Sequence, residues 1–551
     1  MHKMGRGRYK AVGMLVFVLA ITATVVQGQT YTALYSFGTN TGDPKNPQPN
    51  GLMSQGRDGN LYSTATAGGS SNLGAAFNFT PAGALTKLFD FNDVPLGGLD
   101  LGFDGNLYGT TSIGGTSNVG TVFKMTPTGQ LTTVWNFKTT DGGNPVYPPF
   151  QGQDSNFYGS APGGSLGFGL VYKITPAGAL TALGTFNATN GNDPNLPTQG
   201  TDGNFYGTAR FGGISGFGCQ IGCGTLYKLA PNGKITVLHN FAGWPTDGAD
   251  PRGVLVQGTD GNFYGTTFMG GANNFGSVFK LTPSGQYSIL YSFCALAGCV
   301  DGKNPWVGLI QATDGSLYGT SQGGAHNAGA LFKVTTTGVF TTLYSFCNVA
   351  FCADGFFPQT PLMQDTNGKF YGVTESGGAN GLNGGVFYSL DSGLKPFVSL
   401  LNWNGKVGKT VEMLGQGFTG TTKVSFNGTS ATFTVSSDTY LTATVPSGAT
   451  TGFVTVTTPG GALKSNRKFL VTPSILSFSP PSGPVGTPVT ITGVSFTGAI
   501  KVTFGGVKAT VFSVDSDTQI TATVPTGAKT GKIQVTTPGG VATSSGTFTV
   551  M

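Results

Sequence analysis

The sequence of 551 residues is poor in charge and in helix-forming residues. Charged side chains make up 9% of the chain, against roughly 25% in average soluble proteins. Glutamate occurs only at Glu375 and Glu412, and after residue 28 no long segment has the 3.6-residue period of an amphipathic helix. These absences argue against a helical fold. The 92 glycines and the 11% of aromatic residues instead predict an all-β protein of many short strands joined by glycine turns.

Basic residues are few once the N-terminal segment is set aside. Four of them precede an apolar run over residues 11–26, a layout typical of a secretory signal peptide, which we predict over residues 1–28. An uncleaved anchor is the alternative, although the run is short for a membrane span. Residues 29–551 then carry 25 basic and 23 acidic side chains. This balance predicts no nucleic-acid partner, and we expect no membrane span in the mature chain.

The phrase TDGNFYGTT (259–267) recurs along most of the chain in near-copies. Its tyrosine is found at Tyr62, Tyr108, Tyr158, Tyr206, Tyr264, Tyr318 and Tyr371. A period near 50 residues with four strand-like stretches per unit is typical of a propeller blade. We name the stretches A, B, C and D in chain order, with the Asp-Gly turn between A and B.

The strand count predicts how the ring closes. There are seven A-B-C sets, but the D-like stretch YTALYSF (31–37) precedes the first of them, and the seventh unit lacks a clear D strand of its own. We therefore expect the N-terminal strand to complete the last blade, which leaves no open sheet edge. The prediction is a seven-bladed β-propeller over residues 29–392.

The repeated aspartate could serve the turn or bind a metal. Asp-Gly is a strong hairpin signal because both residues tolerate positive φ, whereas a calcium site needs several oxygen ligands in one loop. Unit 7 has Asn367-Gly368 at this place, so the turn persists without the carboxylate. We favour the structural interpretation and expect neither a metal nor another cofactor.

Two similar segments follow the repeats. VEMLGQGFTGTTKVSF (411–426) matches VTITGVSFTGAIKVTF (489–504), and the offset is 78 residues. This length suits one small immunoglobulin-like (Ig-like) β-sandwich for each copy. We predict two such domains, over residues 393–472 and 473–551.

Two stretches of the sequence resemble known families. DGNLYGTTSIGG (104–115) with GTVFKMTPTGQLTTVWNF (120–137) resembles the tandem repeat of bacterial secreted GloVer-repeat proteins, and the resemblance covers all seven units. PSILSFSPPSGPVGTPVTITGVSFTG (473–498) resembles the opening of an IPT/TIG domain, although the first copy lacks its proline pair. The resemblance implies an exported, modular surface protein and does not imply catalysis.

Each predicted blade has two kinds of ends. The tight A–B and C–D turns share one end, and the long B–C and D–A connections share the other, which we call the loop face. The six cysteines map to this face. An exported chain should oxidise them, and although six cysteines allow 15 pairings, we expect the local ones: Cys219 with Cys223, Cys294 with Cys299, and Cys347 with Cys352.

Residues that interrupt the repeat on the loop face are the candidates for ligand binding. One set lies four residues after the repeat tyrosine, and the other lies within the loops. The candidates are Arg210, Trp244, Phe268, Trp306, His326 and Glu375. Aromatic platforms with a few polar groups would suit a sugar or a peptide, although each residue taken singly could be an ordinary loop substitution.

These observations predict a secreted or cell-surface protein, expected to be monomeric, that binds a glycan or a surface protein through its loop face. The Ig-like domains would act as spacers. One alternative is a polysaccharide-active glycosidase or lyase with Glu375 as a weak catalytic candidate, which needs two carboxylates about 5–10 Å apart. A purely structural envelope protein is the other alternative, and the sequence leaves all three open.

Overall fold

The computed structural model describes residues 28–47, 51–163, 167–216, 218–379, 381 and 384–551. Apart from residue 28, the predicted signal peptide lies outside the described residues. Regular structure within them is β-strand, apart from short 3-10 segments such as Ala297–Cys299 and Ala350–Cys352. The all-β prediction is confirmed. None of the helices in the described part of the chain has the length and hydrophobicity needed to cross a bilayer.

Residues 30–391 form seven consecutive antiparallel sheets, one for each repeat unit. The A strands are Ser54–Gln55, Asp100–Leu101, Phe150–Gln151, Thr198–Gln199, Val256–Gln257, Ile310–Gln311 and Met363–Gln364. The B strands are Leu61–Ala65, Leu107–Thr111, Phe157–Ala161, Phe205–Phe211, Phe263–Thr267, Leu317–Ser321 and Phe370–Val373. The C strands are Ala75–Phe79, Thr121–Met125, Leu170–Ile174, Thr225–Leu229, Ser277–Leu281, Ala330–Val334 and Val386–Asp391. The D strands of blades 1–6 are Leu85–Asp90, Leu131–Asn136, Leu180–Thr185, Ile235–Asn240, Tyr287–Ser292 and Phe340–Ser345.

Short additional strands lie on the loop face. Asn192–Pro194 joins the sheet of blade 4 by pairing with its B strand. Two two-stranded ladders link a D–A connection to the start of a B–C connection, and they are Pro44–Lys45 with Ala67–Gly68 and Gly248–Ala249 with Met269–Gly270. These ladders tie the loops to the rigid sheets beneath them.

The N-terminal strand Thr30–Ser36 is the outer strand of blade 7. It pairs antiparallel with Val386–Asp391, from Thr30 opposite Asp391 to Ser36 opposite Val386. This is the pairing that the strand count predicts. The first and last parts of the repeat region are thus held in one sheet.

Stacked aromatic rings hold adjacent blades together. At four interfaces in the described residues the repeat tyrosine of one blade packs on the phenylalanine that precedes the tyrosine of the next, with ring centroids 4.0 Å apart for Tyr108 and Phe157 and 4.3 Å apart for Tyr318 and Phe370. Blades 1, 2 and 6 have leucine in place of this phenylalanine. The B and C strands are buried almost throughout because each blade is covered on both faces by its neighbours. Polar side chains within them, such as Thr110, Thr111 and Ser160, are buried together with the apolar ones.

The Asp-Gly turn differs in detail from the expected two-residue hairpin. In blade 1 only Gly59, at φ 82°, adopts the left-handed conformation, and Asp58 does not. The amide of Gly59 bonds to the carbonyl of Gly56, which closes a longer turn. The Asp58 carboxylate accepts bonds from the Asn60 amide at 3.1 Å and the Tyr62 hydroxyl at 2.7 Å. The aspartate is structural, and it explains why asparagine and tyrosine follow at fixed spacing.

Glutamines in the A strands link six of the seven blade interfaces in the described residues. The side-chain oxygen of Gln257 accepts a hydrogen bond at 3.0 Å from the Thr201 amide of the preceding blade. The same contact is made by Gln55, Gln151, Gln199, Gln311 and Gln364. Blade 2 has Leu101 instead, and there the Arg57 side chain bridges the interface by donating to the carbonyl of Phe103 at 2.6 Å.

The substitution Gln55→Leu is expected to destabilise the ring more than Gln257→Leu. Gln55 also donates to the Thr366 hydroxyl at 2.8 Å, and both residues are buried, so its loss leaves the buried Thr366 amide unpaired at a cost of about 1–3 kcal/mol. The partner of Gln257 is exposed to water, and we expect a loss below about 1 kcal/mol. Urea unfolding of the two variants measures the difference, and equal losses would contradict this role of Gln55.

Two β-sandwiches follow the propeller. In the first, one sheet contains Ser399–Leu400, Thr410–Leu414, Tyr440–Thr444 and Phe433–Ser437, and the other contains Asn404–Gly405, Gly461–Val471, Gly452–Thr458, Lys423–Phe426 and Thr429–Ala431. In the second, one sheet contains Ser474–Ser479, Pro488–Val494, Gln519–Thr523 and Phe512–Ser516, and the other contains Val507–Lys508, Lys501–Phe504, Ile533–Thr537 and Gly540–Thr543. Ser482–Gly483 pairs with Thr549–Val550. Each sandwich has its own apolar core.

The first sandwich packs against the A–B turns of the propeller, so it is not the free spacer that the sequence suggested. Leu414 is buried in a cluster that contains propeller residues such as Leu101. Glu412 pairs with Arg57 at 2.5 Å, and the guanidinium of Arg57 also lies over the ring of Tyr440 at 4.6 Å. The strand that carries Glu412 and Leu414 turns its alternate residues, including Met413, into the core of the sandwich. The inner face of this sheet therefore contributes to the core of the sandwich, and its outer face packs on the propeller.

Candidate functional site

The D–A connections of six blades end in the same short motif on the loop face. A residue with left-handed backbone, at φ between 45° and 59°, precedes a proline. This residue is Asn46, Asn144, Asp193, Asp250, Asn304 or Phe357. Asparagine and aspartate tolerate this conformation best among residues with a side chain. Because strand A is the innermost strand, the residue after the proline lies near the axis of the ring.

Asparagine and aspartate do different work at this position. In blades 3 and 6 the asparagine side chain donates to the carbonyl of the residue that ends strand B of the preceding blade, as Asn304 does to Phe268 at 2.8 Å. A carboxylate cannot make that bond because it has no donor at neutral pH. Asp193 and Asp250 bind a cation instead. Arg210 contacts Asp193 at 3.0 Å and Asp250 at 3.2 Å.

Arg252 stands at the centre of these side chains. Its guanidinium pairs with Asp250 at 2.5 Å, through Nη2, and its Nε donates to the same oxygen at 2.7 Å. The guanidinium carbon lies 3.7 Å from the centroid of the Phe268 ring and 4.0 Å from that of the Trp306 ring. The two rings stand nearly perpendicular, at 85°. We call Asp193, Arg210, Asp250, Arg252, Phe268 and Trp306 the Arg252 cluster.

Charges within the Arg252 cluster balance. It contains two arginines and two aspartates, and the side chain of Asp250 is only 4% exposed. Burial raises the pKa of Asp193 above its ordinary value, although Arg210 opposes the shift. For Arg210, burial works against the charged form, but Asp250 and Asp193 outweigh it and raise its pKa. The formal charges of the two arginines and two aspartates therefore cancel, and Arg210 links the two carboxylates.

Three of the six predicted binding residues belong to this cluster, namely Arg210, Phe268 and Trp306. The other three lie elsewhere on the loop face. Trp244 is 42% exposed, and its indole nitrogen donates to the carbonyl of Ala272 at 3.3 Å. His326 is exposed in the B–C connection of blade 6. The six residues therefore do not form one site.

Glu375 lies two residues after strand B of blade 7 and is half-buried. Burial raises the pKa of its carboxyl group, which makes no hydrogen bond or ion pair to a described residue. The equivalent residues of the flanking blades are Gln322 and Thr66, and neither supplies a carboxylate. Within the described residues no three His, Cys, Asp or Glu side chains converge as metal ligands.

The cysteines form the three local disulfides that the sequence predicts. They join Cys219 to Cys223, Cys294 to Cys299 and Cys347 to Cys352. Beside the second of them, Asp301 accepts hydrogen bonds from the Tyr291 hydroxyl at 2.6 Å and from the Ala295 amide at 2.9 Å. Disulfides and buried carboxylates thus brace these loops from within. Their tips carry exposed apolar side chains, and Phe351 is 89% exposed.

The sequence analysis missed Arg252 and the pairing role of Asp250. Both could have been found by aligning the units on the proline that follows the left-handed residue rather than on the repeat tyrosine alone. The residues after this proline are Val146, Asn195, Arg252, Trp306 and Gln359. The residue at this position is apolar in blade 3, charged in blade 5 and aromatic in blade 6. This change distinguishes the blade 5 and 6 side of the loop face from the rest.

Comparison with solved structures finds several partial similarities. SGBP-B from a complex xyloglucan utilization locus in Bacteroides uniformis is 22% identical over 28% of this chain and 48% of its own, with a TM-score of 0.15. A surface glycan-binding protein from Prevotella bryantii is 21% identical over 28% of this chain and 38% of its own, with a TM-score of 0.20. This chain spans less than half the length of either protein. A gluconolactonase from Xanthomonas campestris is 12% identical over 65% of this chain and 98% of its own, with a TM-score of 0.35.

Family models match most of the chain, whereas no curated protein matches it. The model of the Gloeobacter/Verrucomicrobia repeat matches residues 93–221 and 215–436, which is more than half of the chain. The IPT/TIG domain model matches residues 473–550, the second sandwich. The first sandwich has no such match, in keeping with its missing proline pair, and its Ig-like assignment rests on its strands. The chain belongs to the Gloeobacter/Verrucomicrobia repeat family and carries an IPT/TIG domain.

Proposed function

We propose that this protein is an extracellular or cell-surface carbohydrate-binding protein and that the Arg252 cluster forms part of its binding surface. One observation carries the proposal. The guanidinium of Arg252 is held between the Phe268 and Trp306 rings while Asp250 occupies one edge of it. A planar donor group fixed beside two half-buried rings is preorganised, which lowers the entropy cost of binding.

A hydroxyl-rich ligand fits this chemistry. Guanidinium has five N–H donors, and those of Arg252 beyond the Asp250 pair bond to no described residue. The Asp193 carboxylate, whose side chain is 24% exposed, can accept from a hydroxyl group, and the edges of the rings offer apolar contact. Because the cluster has no net charge, a neutral sugar suits it better than a polyanion.

The rigidity of the surface favours recognition rather than a moving catalytic lid. Arg210 ties Asp193 of blade 4 to Asp250, which begins blade 5, and Arg252 continues the chain of contacts to Trp306 of blade 6. Polysaccharide cleavage by Glu375 would need a second carboxylate about 5–10 Å away, and the flanking blades bring Gln322 and Thr66 to the equivalent positions. Binding is therefore the function we favour.

Three disulfides support an extracytoplasmic location, because such bonds persist in oxidising compartments. The N-terminal sequence has the layout of a secretory signal. We infer that the protein is exported and acts outside the cytoplasm.

Replacing Trp306 by alanine is expected to weaken glycan binding by about 10- to 100-fold, or roughly 1.5–3 kcal/mol. The indole offers a contact surface to the ligand, and it also packs against the guanidinium of Arg252. Arg252→Lys keeps the charge but loses the planar fork, and we expect a loss of similar size. A glycan array identifies a ligand, and isothermal titration calorimetry on the full chain measures the affinities.

His326→Ala is the matched control, because His326 is exposed on the same face outside the cluster. Its affinity should equal that of the unmodified protein. The proposal fails if no glycan binds the unmodified chain, or if all three variants bind equally well.

A further inference from the structure

A cavity of about 360 Å³ runs along the axis of the propeller. Its wall is built from A strands of blades on opposite sides of the ring, so it is the central channel. Phe397 and Asn466, which follow the last blade and belong to the first sandwich region, line the end at the A–B turns. Tyr147 lines the loop-face end, and its hydroxyl lies 2.9 Å from the carbonyl oxygen of Arg252 two blades away.

The channel wall is divided into an apolar side and a polar side. Blades 5, 6 and 7 contribute Val256, Ile310 and Met363 at equivalent positions of strand A. Blades 1 and 2 contribute Ser54 and Asp100 at the same level. All five residues line the same cavity, so the carboxyl group of Asp100 shares it with the apolar side chains of blades 5, 6 and 7.

Asp100 has no cationic partner among the described residues. Its Oδ1 accepts a hydrogen bond from the Ser54 hydroxyl at 3.1 Å, and no lysine, arginine or histidine is found among the described residues that line the cavity. Burial raises the pKa of this carboxyl to about 6. Tyr147 is the other titratable group in the wall, and burial raises its pKa so far that it stays neutral. An uncompensated buried carboxylate costs stability, and the repeat offers apolar residues at the same position in other blades.

We propose that the axial channel binds a small organic ammonium compound, with the cation at Asp100 and the apolar body against the blade 5–7 wall. The ammonium group supplies the donors and the positive charge that the carboxylate lacks. An alcohol would supply one donor and no charge, and a carboxylate ligand would be repelled. This site is separate from the Arg252 cluster and does not depend on glycan binding there.

Benzylamine, benzyl alcohol and benzoate are suitable probes because they share one apolar ring and differ in charge. We expect calorimetric titration of the full chain at pH 7.5 to show binding of benzylamine at least tenfold tighter than that of benzyl alcohol, and no binding of benzoate. At pH 5.0 about one tenth of a group with a pKa of about 6 is ionised. Because benzylamine stays protonated, its affinity should fall roughly tenfold between these pH values.

Two variants separate the charge from the cavity. Asp100→Asn should remove the preference for benzylamine and the pH dependence while retaining the weak binding of benzyl alcohol. Ile310→Trp fills the apolar side and should abolish binding of both compounds while Asp100 stays in place. Circular dichroism and the melting temperature check that each variant folds. Equal affinities for benzylamine and benzyl alcohol in the unmodified protein, or an unchanged preference in Asp100→Asn, would overturn the proposal.

Discussion

A chain that begins at Gly38, and so lacks the strand Thr30–Ser36, is expected to lose the closed propeller. The deletion exposes the edge of Val386–Asp391, which the strand covers over its whole length. It also removes Phe37, which is fully buried, and Tyr31, which stacks on Tyr344 with ring centroids 3.9 Å apart. Each large side chain contributes about 2–3 kcal/mol of apolar burial, so the total loss exceeds about 5 kcal/mol, which is much of a typical stability.

Calorimetry and size-exclusion chromatography measure the effect. The shortened chain should melt at least about 10 °C lower than a chain that begins at Gln29, and it should aggregate because an open edge strand recruits other chains. A synthetic peptide of residues 29–38 added in trans should restore the melting temperature. The same peptide with prolines at Ala33 and Tyr35 cannot form the ladder and should not restore it. A shortened chain that stays monomeric with an unchanged melting temperature would show that the strand does not hold the ring.

Much of this architecture can be predicted from the sequence, because the repeat multiplies weak local signals. A single DGN turn followed by a short aromatic strand says little, but seven copies fix the strand count, and the unpaired YTALYSF then has one available place. The disulfides are equally predictable, since cysteines four or five residues apart in one loop are already close. The type of the Asp-Gly turn between strands A and B was harder to predict from the sequence. Asp58 is used for its carboxylate bonds to Asn60 and Tyr62, which a pair propensity for Asp-Gly does not describe.

The Arg252 cluster was only half predictable for a different reason. Arg210, Phe268 and Trp306 interrupt the repeat and so stand out, whereas Arg252 and Asp250 belong to a connection whose length varies between blades. Alignment on the tyrosine therefore loses register there. Trp244 and His326 interrupt the repeat equally well but lie outside the cluster. Deviation from a repeat marks a residue as unusual, and only the fold decides which unusual residues meet.

The docking of the first sandwich on the propeller was not predicted, although a comparison of the two sandwich sequences indicates it. The two sandwiches align residue by residue, and the outward positions of the docked sheet are where they differ. Glu412, Leu414 and Tyr440 of the first copy correspond to Thr490, Thr492 and Gln519 of the second. The inward positions remain apolar in both copies, because Met413 corresponds to Ile491 and both are fully buried. Leu414, where the second copy has Thr492, is an outward apolar residue that the propeller buries.

The triple substitution Glu412→Thr, Leu414→Thr and Tyr440→Gln is expected to release the first sandwich from the propeller without unfolding either. Loss of the buried Leu414 contact costs the interface about 2 kcal/mol. Loss of the charged bond to Arg57 costs about 1.5–3 kcal/mol more. The sandwich itself should still fold, because the second copy folds with these same three residues at the equivalent positions.

Small-angle scattering should show a larger radius of gyration for the triple variant, and calorimetry should resolve the propeller and sandwich transitions that docking couples. Lys423→Thr is the matched control, since Lys423 is an exposed residue of the opposite sheet, and it should leave both measurements unchanged. If the triple variant scatters like the unmodified protein, the contacts of Arg57 and Leu414 do not hold the modules together. Phe397, at one end of the axial channel, is held by a different contact, because its amide bonds to the carbonyl of Thr366 in blade 7 at 3.0 Å. The triple variant leaves this Phe397 contact in place, so it tests the docking contacts of Glu412, Leu414 and Tyr440 alone.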